Sequence, residues 1–248
     1  MSRPTLWHIG VSHYSEKVRW ALAYKRVEHK RKAPAPGIHM VVAAGLTRGW
    51  TKTFPVLAID GERIGDSTAI IAALEQRYPE PALYPSEPGE RERALALEEW
   101  FDEELGPPIR LLGWHELTRD DERLERFATQ VAPRPLRRFG GVASKTASTF
   151  VNLRYGVHSE QAAEIARGQV SAAFDRLESE LGSGEYLVGD RFSVADLTAA
   201  ALFYPLVLPP EAPRVISDPP AAFQAYRAPF EARRGFRWVE EMFSRHRT

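Results

Sequence analysis

The sequence predicts an α/β half followed by an all-helical half, and three observations carry that expectation. Residues 5–78 alternate short β-forming runs with two stretches of helical spacing. Pro79, Pro81, Pro85 and Pro88 then crowd one short segment, PEPALYPSEPGE. Beyond it the periodic stretches all have the spacing of helices, none the alternation of strands.

Taken in order, Thr5 to Val11 reads as a strand. After Ser12 the apolar positions shift to Val18, Ala21 and Leu22, one face of a helix. Val27 to Lys32 is almost wholly charged, so a strand there has to lie at a sheet edge, where lysine and arginine discourage pairing with other molecules. A loop follows. Phe54 to Ile59 reads as a strand, Asp60 and Gly61 as a hairpin turn, Glu62 to Gly65 as the returning strand, and Asp66 and Ser67 as the opening of the helix TAIIAALEQRY. The prolines end that helix and mark a linker, which places a domain boundary near Ser86, with 1–85 as the first domain and 86–248 as the second. Helices are then expected at Glu90 to Leu105, at Ile109 to about Glu116 after a Pro107–Pro108 interruption, at Glu160 to Leu181, at Val194 to about Tyr204, and near Trp238 to Arg245. Phe127 to His158 has no clean period and stays unassigned.

Composition narrows the function. The chain has 248 residues, 44% of them hydrophobic, enough for a sizeable core. Lysine plus arginine balance aspartate plus glutamate at 33 each, so no global field points to nucleic acid or to an anionic membrane. There are no cysteines, which excludes disulfides, thiolate metal sites and a cysteine nucleophile, and leaves any thiol chemistry to a bound ligand. The start MSRPTLWHIG has no signal-like apolar run and no stretch of about 18 apolar residues occurs, so a cytoplasmic protein is expected. Gly10, Ser12 and Tyr14 only half match the hydrolase elbow G-x-S-x-G. Nucleotide-binding glycine motifs and metal-spaced histidines are absent, and no metal is expected.

Four segments, in order, carry a resemblance. They are SHYSEKVRWAL from Ser12 to Leu22, FPVL from Phe54 to Leu57, GDSTAI from Gly65 to Ile70, and YLVGDRFSVADLTAAA from Tyr186 to Ala201. Together they resemble the glutathione transferase family, in its serine-type, cytosolic, bacterial-like form. The resemblance implies a thioredoxin-like α/β N-terminal domain that binds glutathione and an all-α helical-bundle C-terminal domain that carries the electrophile site. It also implies a homodimer, and a transferase that conjugates glutathione to a small, apolar electrophile, as in detoxification. His13 departs from the pattern, since many relatives have proline there.

The residues in these segments fit that chemistry while leaving simpler roles open. A free thiol has a pKa of about 8.5, and lowering it by two units takes about 2.7 kcal/mol of preference for the thiolate. A hydroxyl donating to the charged sulfur is worth roughly 1.5–3 kcal/mol, and a helix N-terminus adds about 0.3–1. By resemblance the hydroxyl is that of Ser12, the catalytic residue. On sequence alone the N-cap is the better reading of Ser12, with Ser15 nearby, and it is the resemblance that reverses this. The family uses a cis proline, here Pro55, so that the Phe54 backbone pairs with the cysteinyl part of glutathione, with Thr53 beside it; the alternative is a trans proline at the start of a strand. Asp66 and Ser67 suit the γ-glutamyl end, the amides and hydroxyl holding a carboxylate and the acid an ammonium group. They also read as a plain N-cap, and many family members have glutamate at the position of Asp66. Ser193 and Asp196 form an S-x-x-D cap with a structural role. Phe101, Trp114, His115, Tyr155 and Tyr204 are conceivable walls of the electrophile pocket, though helical aromatics commonly serve as core. The other class of function that stays open is a non-catalytic relative that keeps the fold for binding or interaction.

Overall fold

The computed structural model describes residues 3–34, 38–131, 152, 156–213 and 219–247. Strand β1 (Thr5–Trp7) leads into helix α1 (His13–Tyr24), then come β2 (Lys30–Lys32), α2 (His39–Leu46), the hairpin β3 (Val56–Ile59) and β4 (Glu62–Gly65), and α3 (Ser67–Arg77). The sheet order is β2-β1-β3-β4, with β1 parallel to β2 and antiparallel to β3. Asp60 and Gly61 both have positive φ, 47° and 85°, the geometry of the tight hairpin turn that their identities predict. As expected, β2 is an edge strand with Lys30, Arg31 and Lys32 all exposed.

The helical part comprises α4 (Pro88–Glu104), α5 (Gly106–Thr118), α6 (Asp121–Val131), α7 (Glu160–Leu181), α8 (Val194–Val207), α9 (Ala221–Glu231) and α10 (Arg234–His246). Helix α8 is apolar on all sides and buried from Val194 to Tyr204, which makes it the hub of the core. It packs against α1, α4 and α10, so one helix joins the α/β part to the bundle. Its Asp196 carboxylate is fully buried and accepts Leu187 N–H, Ser193 N–H and the Ser193 hydroxyl, each at 2.8 Å. The proline-rich segment is strapped rather than loose. Buried Lys25 donates to the Tyr78 and Pro81 carbonyls, Glu75 accepts from Leu83 and Tyr84 N–H, and Leu83 O receives Val194 N–H.

Several expectations change. Strand β1 ends at Trp7, short of Val11, because the chain turns at Gly10 and Val11, where Ser12 N–H closes back onto Ile9 O. The loop before β3 contains α2, whose HMVVAAGL is apolar throughout after His39 and whose N-cap, Ile38, offers no capping side chain. Helix α5 begins before Pro107 and Pro108; they occupy its first turn, where a missing N–H leaves nothing unpaired. Helix α8 runs through Pro205 to Val207 instead of stopping at Tyr204, and α10 starts at Arg234. Helix α9 was hidden by the prolines before it and by Pro229 within it. Of the unassigned segment, α6 covers the part up to Val131; residues 132–151 and 153–155 lie outside the described residues.

Candidate functional site

The sheet register brings the predicted site residues to one end of the sheet. Trp7 of β1 pairs with Val56 of β3, and Val56 pairs with Gly65 of β4. Trp7 leads into the turn that carries Ser12, Val56 follows Thr53, Phe54 and Pro55, and Gly65 precedes Asp66 and Ser67. Three chain segments distant in sequence therefore emerge side by side, and two of them open helices whose N-terminal amides face the same end.

Ser12 caps α1: its Oγ accepts the Ser15 N–H at 3.2 Å. That bond uses an oxygen lone pair and leaves the hydroxyl hydrogen to donate, so capping and thiol binding are compatible in one side chain. Ser12 is half-buried, whereas Ser15 is fully buried with its Oγ accepting from Ile9 N–H. The turn is held residue by residue. Ser12 N–H donates to Ile9 O at 3.1 Å, and the Tyr204 hydroxyl donates to Val11 O at 2.7 Å. Buried Arg19 donates to Ile9 O at 3.2 Å and Gly10 O at 3.1 Å and contacts His8 Nδ1 at 2.9 Å. Burial and Arg19 push His8 down to about 4, so its ring is neutral; arginine has no lone pair, and His8 Nδ1 is therefore the acceptor.

His13 is buried rather than presented to solvent, and its Nε2 has no hydrogen-bond partner among the described residues. Burial first, and the charge of Arg110 second, push it down to about 3. Tyr14 lies beside it, ring centroids 4.4 Å apart, and its hydroxyl donates to Asp102 O at 2.6 Å, under the close approach of Gly106.

The Phe54–Pro55 bond is cis, as is Glu80–Pro81. Phe54 and Pro55 are buried and Thr53 is exposed. Asp66 is exposed, with φ 71° and ψ 135°, a conformation that costs a non-glycine residue on the order of 1–3 kcal/mol and recurs at ligand clamps. Its Oδ1 accepts Ala69 N–H at 3.1 Å, capping α3, and Ser67 is buried. Behind this turn, buried Lys17 joins Glu98 at 2.8 Å, Asp102 at 2.6 Å and Thr68 at 3.1 Å, tying α1, α3 and α4 into one unit.

An apolar cavity opens between α5, α8 and α9, lined by Ile109, Leu112, Pro205, Leu206, Phe223 and Tyr226. Of the aromatics named from the sequence, Trp114 meets Phe127 edge-on, ring centroids 5.7 Å apart. Phe101 is in the core, Tyr204 is buried, His115 holds Val157 O through Nδ1, and Tyr155 lies outside the described residues. Among the described residues no cluster suited to a metal ion occurs, and no helix is long and apolar enough to cross a membrane.

A four-stranded mixed sheet with helices on it, followed by a helical bundle, is the thioredoxin-like plus all-helical architecture that the sequence motifs imply. The glutathione S-transferase N-terminal domain matches residues 6–82, and the glutathione S-transferase C-terminal domain matches residues 142–233. The chain belongs to the glutathione S-transferase family. A maleylacetoacetate isomerase of Dictyostelium discoideum is 29% identical over 82% of this chain and 79% of its own. Among solved structures, FzlA from C. crescentus is 22% identical, covering 96% of this chain and 92% of that one, with a TM-score of 0.61. A theta class glutathione S-transferase from Xanthomonas axonopodis pv. citri with glutathione bound is 21% identical over 96% of this chain and 98% of that one, with a TM-score of 0.60. These two likenesses speak for the fold.

Proposed function

We propose that the protein is a glutathione-dependent enzyme in which the Ser12 hydroxyl stabilises the glutathione thiolate and the sulfur attacks an electrophilic carbon of a small substrate. The observation that carries this reading is the Ser12 side chain: half-exposed at a helix N-terminus, it accepts the capping amide and keeps its own hydrogen for a donor bond. In this reading the thiol proton leaves to solvent, and the carbon–sulfur bond forms as the leaving group departs with its electron pair. The Phe54 backbone, with Thr53 and Pro55 beside it, holds the cysteinyl part. Asp66 and Ser67 hold the γ-glutamyl end. The helical second domain carries the electrophile site. The enzyme works in the cytoplasm as a homodimer, with a first domain over 1–85 and a second over 86–248.

A second reading is favoured by the Dictyostelium discoideum relative: an isomerase, in which glutathione adds to the substrate and leaves again unconsumed. One assay separates them. The protein is incubated with glutathione and, in parallel, with an aryl halide or with maleylacetoacetate, and the products are resolved by mass. A thioether marks a transferase; isomerised product with glutathione recovered in full marks an isomerase. If glutathione does not bind at millimolar concentration in calorimetry, both readings fall and the protein is a binding relative on the same fold.

A further inference from the structure

We propose that Arg19 is the positioning residue for Ser12, and that Arg247, at the far end of the chain, completes its setting through Glu16. The proposal rests on the reading of Ser12 as the thiol-binding hydroxyl. Arg19 sits on α1, two turns into the helix that Ser12 opens, and is buried. Its guanidinium reaches back to the turn before the helix, donating to the carbonyls of Ile9 and Gly10 and to His8 Nδ1. The Ile9 carbonyl is shared: it also receives Ser12 N–H, so Arg19 and the Ser12 backbone hang on one oxygen. A planar, rigid fork of this kind fixes several acceptors at once, which a lysine cannot do.

A buried guanidinium needs a counter-charge, and Glu16 supplies it, with Oε2 2.6 Å from Arg19 Nε. Glu16 is itself fully buried, and its second oxygen, Oε1, accepts from Arg247 Nε at 2.6 Å. Arg247 is the C-cap of α10, so the C-terminal helix reaches across 231 positions to the first one. Arg31 of β2 stands close enough for its charge to be felt by the same group, so Glu16 sits among cations on α1, β2 and α10. Without Arg247, Glu16 Oε1 is a buried acceptor lacking this donor, and the carboxylate, no longer held from both sides, can rotate and carry Arg19 with it. The Ile9–Gly10 turn then loses its clamp, and the Ser12 hydroxyl its fixed distance to the sulfur. The grip on the rest of glutathione, through residues 53–55 and 66–67, is untouched. That difference separates positioning from simple loss of fold.

The test compares wild type with Arg247→Ala, Arg247→Lys and Arg19→Lys. It reads thiolate absorbance of bound glutathione against pH, KM and kcat for glutathione, and thermal stability. Arg247→Ala is expected to raise the pH midpoint of the bound thiol by about half a unit and to lower kcat about threefold to tenfold, with KM for glutathione within about twofold of wild type. Arg247→Lys should regain most of the loss, and Arg19→Lys should lose at least about tenfold in kcat. Should Arg19→Lys not fold, Arg247→Ala, at the C-cap of α10, decides alone. Variants that melt earlier yet ionise bound glutathione at the wild-type midpoint would overturn the proposal and leave the Ser12 reading standing. A wild type that binds glutathione without shifting its thiol would overturn both.

Discussion

Replacing Asp196 by alanine removes a carboxylate that is completely buried and accepts three hydrogen bonds at 2.8 Å, from Leu187 N–H, Ser193 N–H and the Ser193 hydroxyl. Alanine offers no acceptor to the three donors. Each buried donor left without a partner costs about 1–3 kcal/mol, so stranding the two amides and the hydroxyl should cost about 3–9 kcal/mol in total, toward the low end if the hydroxyl rotates to another acceptor. That exceeds the 1 kcal/mol typical of an exposed cap, because this cap also ties Leu187 to α8 and, through Val194 N–H to Leu83 O, ties α8 to the proline-rich segment. Asparagine keeps one acceptor oxygen but turns an amide toward donors, and should lie between the two. Urea unfolding of wild type, Asp196→Asn and Asp196→Ala at pH 7, followed by circular dichroism, measures the series. A loss under about 1 kcal/mol for alanine would refute the reasoning, as would a folded variant of normal stability that no longer binds glutathione.

Two further predictions concern the same core. His13 is held near pH 3 in the fold against 6.5 when unfolded, so the folded state binds fewer protons between these values; its stabilising effect is complete above pH 6.5 and is lost as pH falls. Asp196 runs the opposite way, raised by burial to about 6 from 3.8, so the two partly cancel in the wild type. The difference in unfolding free energy between wild type and His13→Gln should therefore change by about 1.4 kcal/mol per pH unit between pH 6 and 4, and a flat difference would contradict the burial of His13. Gly106→Ala would place a Cβ against the Tyr14 ring, 2.6 Å from its Cζ, where the hydroxyl is anchored to Asp102 O. Thermal unfolding should show a loss of about 1–3 kcal/mol, and Tyr14→Phe in the same background should restore only part of it, because the hydroxyl oxygen makes the closest contact but Cζ remains in the way.

Much of the fold was legible because its signals are local. Asp60–Gly61 demands a hairpin, Ser12 and Asp66 cap helices, and Ser193 with Asp196 marks the start of α8. What escaped was decided by tertiary packing. Helix α2 has no polar face to give a period and no capping side chain, and α9 is masked by prolines, which α5 and α8 also accommodate within their helices. The site divides in the same way. Ser12, Phe54–Pro55 and Asp66–Ser67 belong to short motifs, and the register of the sheet sets them at one end. The Arg247–Glu16–Arg19 chain, the Lys17 cluster and the apolar cavity each join residues far apart in sequence, so no local pattern announces them.

The central claim is that the Ser12 hydroxyl, and not merely its capping oxygen, acts on the thiol. The most direct measurement is the ultraviolet absorbance of bound glutathione thiolate as pH is raised, in wild type, Ser12→Ala and Ser12→Asp. Aspartate caps a helix as well as serine does, but it brings a negative charge and no donor. The account predicts that wild type ionises the thiol well below its solution value of about 8.5, by one to two units. It also predicts that Ser12→Asp keeps wild-type stability while losing that shift. An ionisation curve for Ser12→Asp or Ser12→Ala that overlays the wild-type curve would contradict it.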